Sequence, residues 1–305
     1  MGQPVIEVRE FIKRYGDHVA VDRISFNVHR GEIYGLLGPN GAGKTSTLES
    51  LEGLRRPDGG ELRVAGVDPS RDIRRLRNLI GVQLQTSGLP DNITVEEAMR
   101  FFCAYHGVRP NEGLIKRLGL REKRKTQYTD LSTGQKRRLA LALALAHGPE
   151  VLFLDEPTAG LDVGTRVELH AIMQEQKARG ATILLATHDM AEAEQIADRI
   201  GILLNGRLVT TGTPLEITAT GASLTKVSVR TEKDSLARED VAFPAVQRMH
   251  RKDEYHIFFS TDIGPTVAAI IQDVNSRGDR LIDLRVERPS LEDRFLEITS
   301  GENTR

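Results

Sequence analysis

Short apolar runs separated by polar or glycine-rich segments dominate the first two thirds of the chain. Residues 33–37, 151–154 and 182–186 are almost wholly apolar and too short for helices, so they read as buried parallel strands alternating with helices. Residues 5–15 and 20–28 read as strands of an antiparallel layer. From about residue 86 to 147 the pattern turns helical. Thr94 with Glu97 resembles a capping box opening a helix over 95–105, residues 112–118 form a second short helix, and 140–146 continue an apolar one. After Gly206 the pattern changes again. Residues 226–230, 246–250 and 255–260 read as strands, the last two joined by a polar turn at 251–254, and 281–286 read as another. Residues 264–276 read as a helix with Val267, Ile270, Ile271 and Val274 on one face. With a weak helix at 235–239 the order approaches βαββαβ, a ferredoxin-like arrangement. Ser290 opens a last helix that would bury Leu291, Phe295 and Ile298. The expected architecture is an α/β domain over 1–215, with a mixed core sheet, an antiparallel β layer and a helical subdomain at about 86–147. A small α+β domain follows over 216–305.

Chemistry concentrates where strands end. Gly38-Pro39-Asn40-Gly41-Ala42-Gly43-Lys44-Thr45 fits G-x-x-x-x-G-K-[ST] between the strand 33–37 and a helix, the setting of a nucleoside triphosphate cradle. Glycines let the backbone turn so that N–H groups and the helix N-terminus face phosphate oxygens, and Lys44 adds charge near the β and γ phosphates. Thr45 would place its hydroxyl on Mg²⁺, and Ser46 belongs to the same phosphate-binding set. The strand 151–154 ends in Asp155-Glu156, where open α/β sheets collect ligands. Asp155 is placed to hold Mg²⁺, and Glu156 to polarise an attacking water.

Between these motifs stands Leu131-Ser132-Thr133-Gly134-Gln135, and here the chain resembles the ATP-binding cassette (ABC) superfamily over about residues 5–212. The family's elements arrive in order. Tyr15 matches the adenine-stacking aromatic, residues 38–45 the phosphate loop, and Gln85 after Ile80-Gly81-Val82 the Q-loop glutamine, with Gln83 as its rival. The signature follows, then Asp155 and Glu156, the D-loop Ala159-Gly160-Leu161-Asp162, and His188 after the strand 182–186. Taken singly, each has a plainer reading: Tyr15 as core, Gln85 as a solvated strand end, His188 as a cap or surface residue, Asp162 as a helix N-cap. The resemblance implies that Gln85 contacts Mg²⁺ and hinges the helical insert, which grips a membrane subunit. His188 would reach the γ phosphate. Ser132 and the N–H groups of Gly134 and Gln135 would close on ATP held by a second copy, with Asp162 bordering that site. A head-to-tail homodimer with two sandwiched ATP molecules follows. Thr133 stands where the common signature has glycine, which bears on how closely the backbone approaches the nucleotide.

The segment Pro289-Ser290-Leu291-Glu292-Asp293-Arg294-Phe295-Leu296, after a small domain, resembles bacterial multidrug and antibiotic-resistance exporter ATPases, the daunorubicin-resistance group among them. This implies an ATPase at the cytoplasmic face of the membrane, paired with a separately encoded permease that moves hydrophobic or lipid-linked compounds outward. An importer ATPase and a soluble cassette protein acting on ribosomes or DNA are the alternatives. Composition narrows them: a net charge of -1 over 305 residues gives no general case for nucleic acid. The basic runs at 71–77 and 121–125 include acids and read as solvated faces. The single Cys103 excludes an internal disulfide framework. No apolar stretch is long enough to span a bilayer, so a transport role needs separate membrane subunits.

Overall fold

The computed structural model describes residues 4–84, 88–219, 224–238 and 242–302. It divides into two compact units, Met1–Pro214 and Leu215–Arg305. In the first, β1 (Pro4–Tyr15) and β2 (His18–His29) pair antiparallel, and β3 (Ile33–Leu37) runs into the glycine-rich loop and α1 (Lys44–Leu51). Next come β4 (Gly59–Val64), α2 (Ile73–Leu79) and β5 (Ile80–Gln83), then the helices α3 (Val95–Tyr105), α4 (Glu112–Arg117) and α5 (Thr133–Ala144). The capping box at Thr94 and Glu97 opens α3. The unit continues through β6 (Val151–Asp155), α6 (Val163–Ala178), β7 (Thr182–Thr187), α7 (Met190–Ile196), β8 (Arg199–Leu204) and β9 (Arg207–Gly212).

Six strands form one sheet in the order β5-β6-β7-β3-β8-β9, parallel except for the antiparallel β8–β9 edge. The fully buried strands β3, β6 and β7 occupy its interior, as continuous apolar runs require. A three-stranded layer, β2-β1-β4, packs its Phe11, Ile24 and Phe26 into the same core as Tyr34, Leu48 and Phe153. Rings of Phe26 and Tyr34 stack at 5.2 Å, fixing that layer against β3. This packing brings the C-terminal ends of β3 and β6 to the start of α1, where the site forms.

The short α8 (Pro214–Ala219) begins at the division between the units. The second unit contains β10 (Thr225–Thr231), β11 (Val246–Lys252), β12 (Tyr255–Ser260), α9 (Ile263–Ser276), β13 (Leu281–Glu287) and α10 (Leu291–Glu302). Its strands pair antiparallel in the order β11-β12-β10-β13, around Val227, Val229, Phe258, Ile270 and Val274. Two details of the sequence reading are corrected. No helix forms over 235–238; Asp279 instead accepts the N–H groups of Lys233 (2.8 Å) and Ser235 (3.0 Å), and Asp234 sits at φ 56°, which holds a turn. The rest of that expected helix, Glu239, lies outside the described residues. On α9, Ile270 and Val274 are buried while Ile271 is exposed, because 271 falls off the face that meets the sheet.

Candidate active site

The glycine-rich loop is shaped by crowding. A Cβ at Gly38 would stand 2.2 Å from the Leu203 carbonyl oxygen, and one at Gly43, at φ 102°, 2.5 Å from that of Ala20. Gly43 caps α1, so Lys44 enters the first helical turn with its side chain buried. Its Nζ donates to the carbonyls of Gly38 (2.7 Å) and Pro39 (3.1 Å) and lies 3.9 Å from Glu156 Oε1. Burial pushes the ammonium below the usual lysine range, opposed by Glu156 and Asp155.

Thr45 Oγ1 donates to Asp155 Oδ2 at 2.9 Å, joining two motifs 110 residues apart. Burial pushes the Asp155 carboxyl up, against the hydrogen bond from Thr45. Its other oxygen, Oδ1, is buried without a hydrogen-bond partner. Glu156 has φ 51°, a left-handed backbone that costs a non-glycine residue roughly 1–2 kcal/mol. His188 Nδ1 stands 2.8 Å from both carboxylate oxygens of Glu156. The Tyr15 hydroxyl meets Ser46 Oγ at 3.2 Å, and its ring has Lys13 Nζ 5.4 Å and Arg55 Cζ 5.5 Å from the centroid. Tyr15, Asn40, Gly41, Lys44, Asp155 and Glu156, with Ala42, Gly43, Thr45 and Ser46, line one cleft of about 420 Å³.

The signature lies elsewhere. Ser132 caps α5: its Oγ accepts from Gln135 N (3.3 Å), and Gln135 Oε1 accepts from Ser132 N (2.9 Å). One of the two N–H groups expected to face a phosphate is therefore bonded within its own cap. Thr133 takes the first helical position without a left-handed backbone. A Cβ at Gly134 would touch Leu161 at 3.4 Å, so the signature abuts the segment 159–162 of the same chain. Asp162 caps α6 by accepting from Thr165 N (2.9 Å) and Thr165 Oγ1 (2.7 Å). Ser132, Gly134, Gln135 and Asp162 do not line the phosphate cleft. Gln85 lies outside the described residues; Gln83 is buried at the end of β5, its Oε1 without a partner.

The ABC transporter family model matches residues 21–159. The Nod factor export ATP-binding protein I of Ralstonia nicotianae is 36% identical over 307 residues, covering 98% of this chain and 95% of that protein. The chain belongs to the ABC transporter ATP-binding family. As an ABC ATPase it binds ATP and hydrolyses it. The probable multidrug ABC transporter ATP-binding protein YbhF of Escherichia coli is 41% identical over 228 residues, 73% of this chain, and the match spans only 39% of that relative's length. A solved ATP-binding subunit of an ABC transporter superposes with a TM-score of 0.67 at 30% identity, covering 70% of this chain and 92% of that one.

Three polar features of this ABC ATPase escape sequence reasoning. Arg137 Nη1 donates to the Glu156 carbonyl at 2.7 Å. Beneath His188, Glu192 accepts from Thr187 Oγ1 and contacts His170 Nε2, each at 3.1 Å, tying β7, α7 and α6 together. Glu52, at the far end of α1, is buried with Oε2 unpartnered, and lines a separate groove of about 460 Å³ with Phe101, Phe102, Tyr105, His106 and His147. An acid between Leu51 and Gly53 gives no sign of burial by its type; only the periodicity of α1, which sets Leu48 and Glu52 on one face, hints at it.

Burial, helped by Asp155 and Glu49, pushes Glu52 up to about 8 from 4.5. A carboxyl raised on folding contributes stability that is complete below about pH 4.5 and is lost as pH rises through about 8. Glu52→Gln removes the titration and keeps the shape. Thermal melts from about pH 5 to about pH 9 should show the parent losing a few kcal/mol relative to the variant, at roughly 2–4 °C per kcal/mol. Parallel pH profiles for the two proteins would contradict this assignment.

Proposed function

We propose that this ABC ATPase is the motor subunit of an exporter, working as a head-to-tail dimer on a separately encoded membrane permease. The observation that carries the dimer is that the phosphate loop, Asp155 and Glu156 share one cleft while the signature serine lies outside it. A helix N-terminus favours anions, so Ser132 and α5 would complete the site of a second copy. Lys44 and the loop N–H groups bind the phosphates, and Tyr15 stacks on the adenine. Glu156 accepts the proton of the attacking water, and His188, already on that carboxylate, orients it and reaches toward the γ phosphate.

The donor set fits Mg²⁺. Asp155 offers a buried oxygen without a partner beside the Thr45 hydroxyl, whereas Gln83, paired with Leu154, faces the other side of the sheet and does not line this cleft. One carboxylate and one hydroxyl suit an ion whose remaining positions are filled by phosphate and water. Thr45 and Asp155 would hold it, with Gln85 as a further ligand; when bound, the ion supplies charge neutralisation for phosphoryl transfer.

Among the described residues no helix is long and apolar enough to cross a membrane. Phe101 and Tyr105 on α3 are 65% and 59% exposed along the Glu52 groove, which supports that groove as the place where the permease docks at the cytoplasmic face of the membrane. Export of hydrophobic or lipid-linked compounds rests on the relatives named for multidrug transport and Nod factor export.

Ser132→Arg tests the shared site. It should spare ATP binding by the monomer and block hydrolysis, since bulk and charge enter the interface. Mixed with Lys44→Ala it restores some activity, because one of the two sites then combines the intact loop with the intact signature. Normal hydrolysis by Ser132→Arg alone would refute the shared-site reading.

A further inference from the structure

Glu156 is held by more than its side chain. Its N–H donates to Ala186 O (2.9 Å), extending the β6–β7 ladder by one step. Its carbonyl accepts from Ala159 N (3.3 Å), closing a turn, and from Arg137 Nη1 at 2.7 Å, the shorter of the two contacts. Between these anchors the backbone sits at φ 51°. A left-handed glutamate relaxes unless its surroundings hold it, and a hydrogen bond from a charged donor contributes about 1.5–3 kcal/mol, enough to offset that strain. Rotating this peptide would swing the carboxylate away from His188 Nδ1 and from Lys44 Nζ, because the side chain leaves from the same Cα.

The anchor comes from a particular place. Arg137 belongs to α5, and Ser132 caps that helix about one and a half turns earlier. The helix is regular and its inner face is buried from Leu139 to Ala144, so a displacement at Ser132 is carried along the axis to Arg137. Neighbouring Arg138 turns back to its own helix, donating to Gly134 O at 3.3 Å, and makes no such bridge.

We propose that Arg137 is a positioning residue that ties the pose of the signature helix to the placement of Glu156 in the same chain, so that the base is aligned only when α5 is seated. The inference rests on the reading of Glu156 as general base. It adds a route within one chain by which closure on the partner's nucleotide prepares hydrolysis of the chain's own.

The test uses the purified full-length protein with Mg²⁺-ATP and three variants. Arg137→Met should lower kcat by about tenfold to a hundredfold, the scale of a misplaced catalytic group, and leave KM and the ATP dissociation constant within about twofold. Arg137→Lys, which keeps one charged donor, should recover part of the loss. In a Glu156→Gln background Arg137→Met should cost nothing further, since a missing base cannot be misaligned. Parent kcat in Arg137→Met, an equal loss in the lysine and methionine variants, or losses that multiply in the double variant would each overturn the proposal. If Arg137→Met fails to fold, kcat of Arg137→Lys at an unchanged melting temperature decides instead: a partial loss supports the proposal and the parent rate overturns it. A Glu156→Gln protein that turns over at the parent rate would instead remove the base assignment itself.

Discussion

Replacing Glu156 by glutamine is expected to leave ATP binding intact and to slow hydrolysis about a hundredfold or more, the scale of a positioned general base. Glutamine keeps the volume and can still meet His188 through its amide oxygen, so the turn at φ 51° persists while the proton acceptor is lost. Because the signature lies outside the phosphate cleft, ATP should hold two such chains together until it is cleaved. The variant should then accumulate as a dimer with Mg²⁺-ATP and remain monomeric with ADP, measured by size-exclusion chromatography with light scattering. Hydrolysis at the parent rate would show the base to be another group. An inactive variant whose size ignores nucleotide would leave the base in place and refute the ATP-driven cycle of association.

Lys44→Ala should weaken ATP binding by about a hundredfold or more in a chain that still folds. The ammonium braces the loop through the Gly38 and Pro39 carbonyls and stands 3.9 Å from the Glu156 carboxylate. Without it those carbonyls lose a donor, and Asp155 and Glu156 face incoming phosphates with less compensating charge. The surrounding core, from Leu48 to Phe153, is untouched. Nucleotide titration alongside circular dichroism checks both halves; micromolar affinity in a folded variant would contradict the role given to the lysine.

The parts of the fold that show in the sequence are those whose pattern is set locally. The strand at β3 is visible because a strand buried on both faces must be apolar throughout, and α6 because Asp162 caps a long regular pattern. By contrast β4 reads Gly-Gly-Glu-Leu-Arg-Val, with only Leu62 and Val64 buried, and its strand state comes from pairing with β1. The β8–β9 edge is likewise fixed by its neighbours. At the site, the phosphate loop, Asp155, Glu156 and His188 are legible because their spacing is fixed by strand ends. The Arg137 contact with a carbonyl, the buried Glu52 and the His170–Glu192 pair are not, since each depends on which helix lies beside which strand.

The sheet order has a consequence for how the protein is made. β3 leaves the ribosome early, yet both of its neighbours, β7 and β8, come from the far end of the unit; Ile33 N bonds Asp198 Oδ2 across 165 positions. A nascent chain that stops short of β8 carries an apolar strand with an unpaired edge, an invitation to aggregate or to recruit a chaperone. Pairings this distant are also slow to form, because loop closure must precede the contacts that reward it. The phosphate loop is thus translated among the first segments of its unit and becomes usable among the last, so ATP cannot act as an early template for folding.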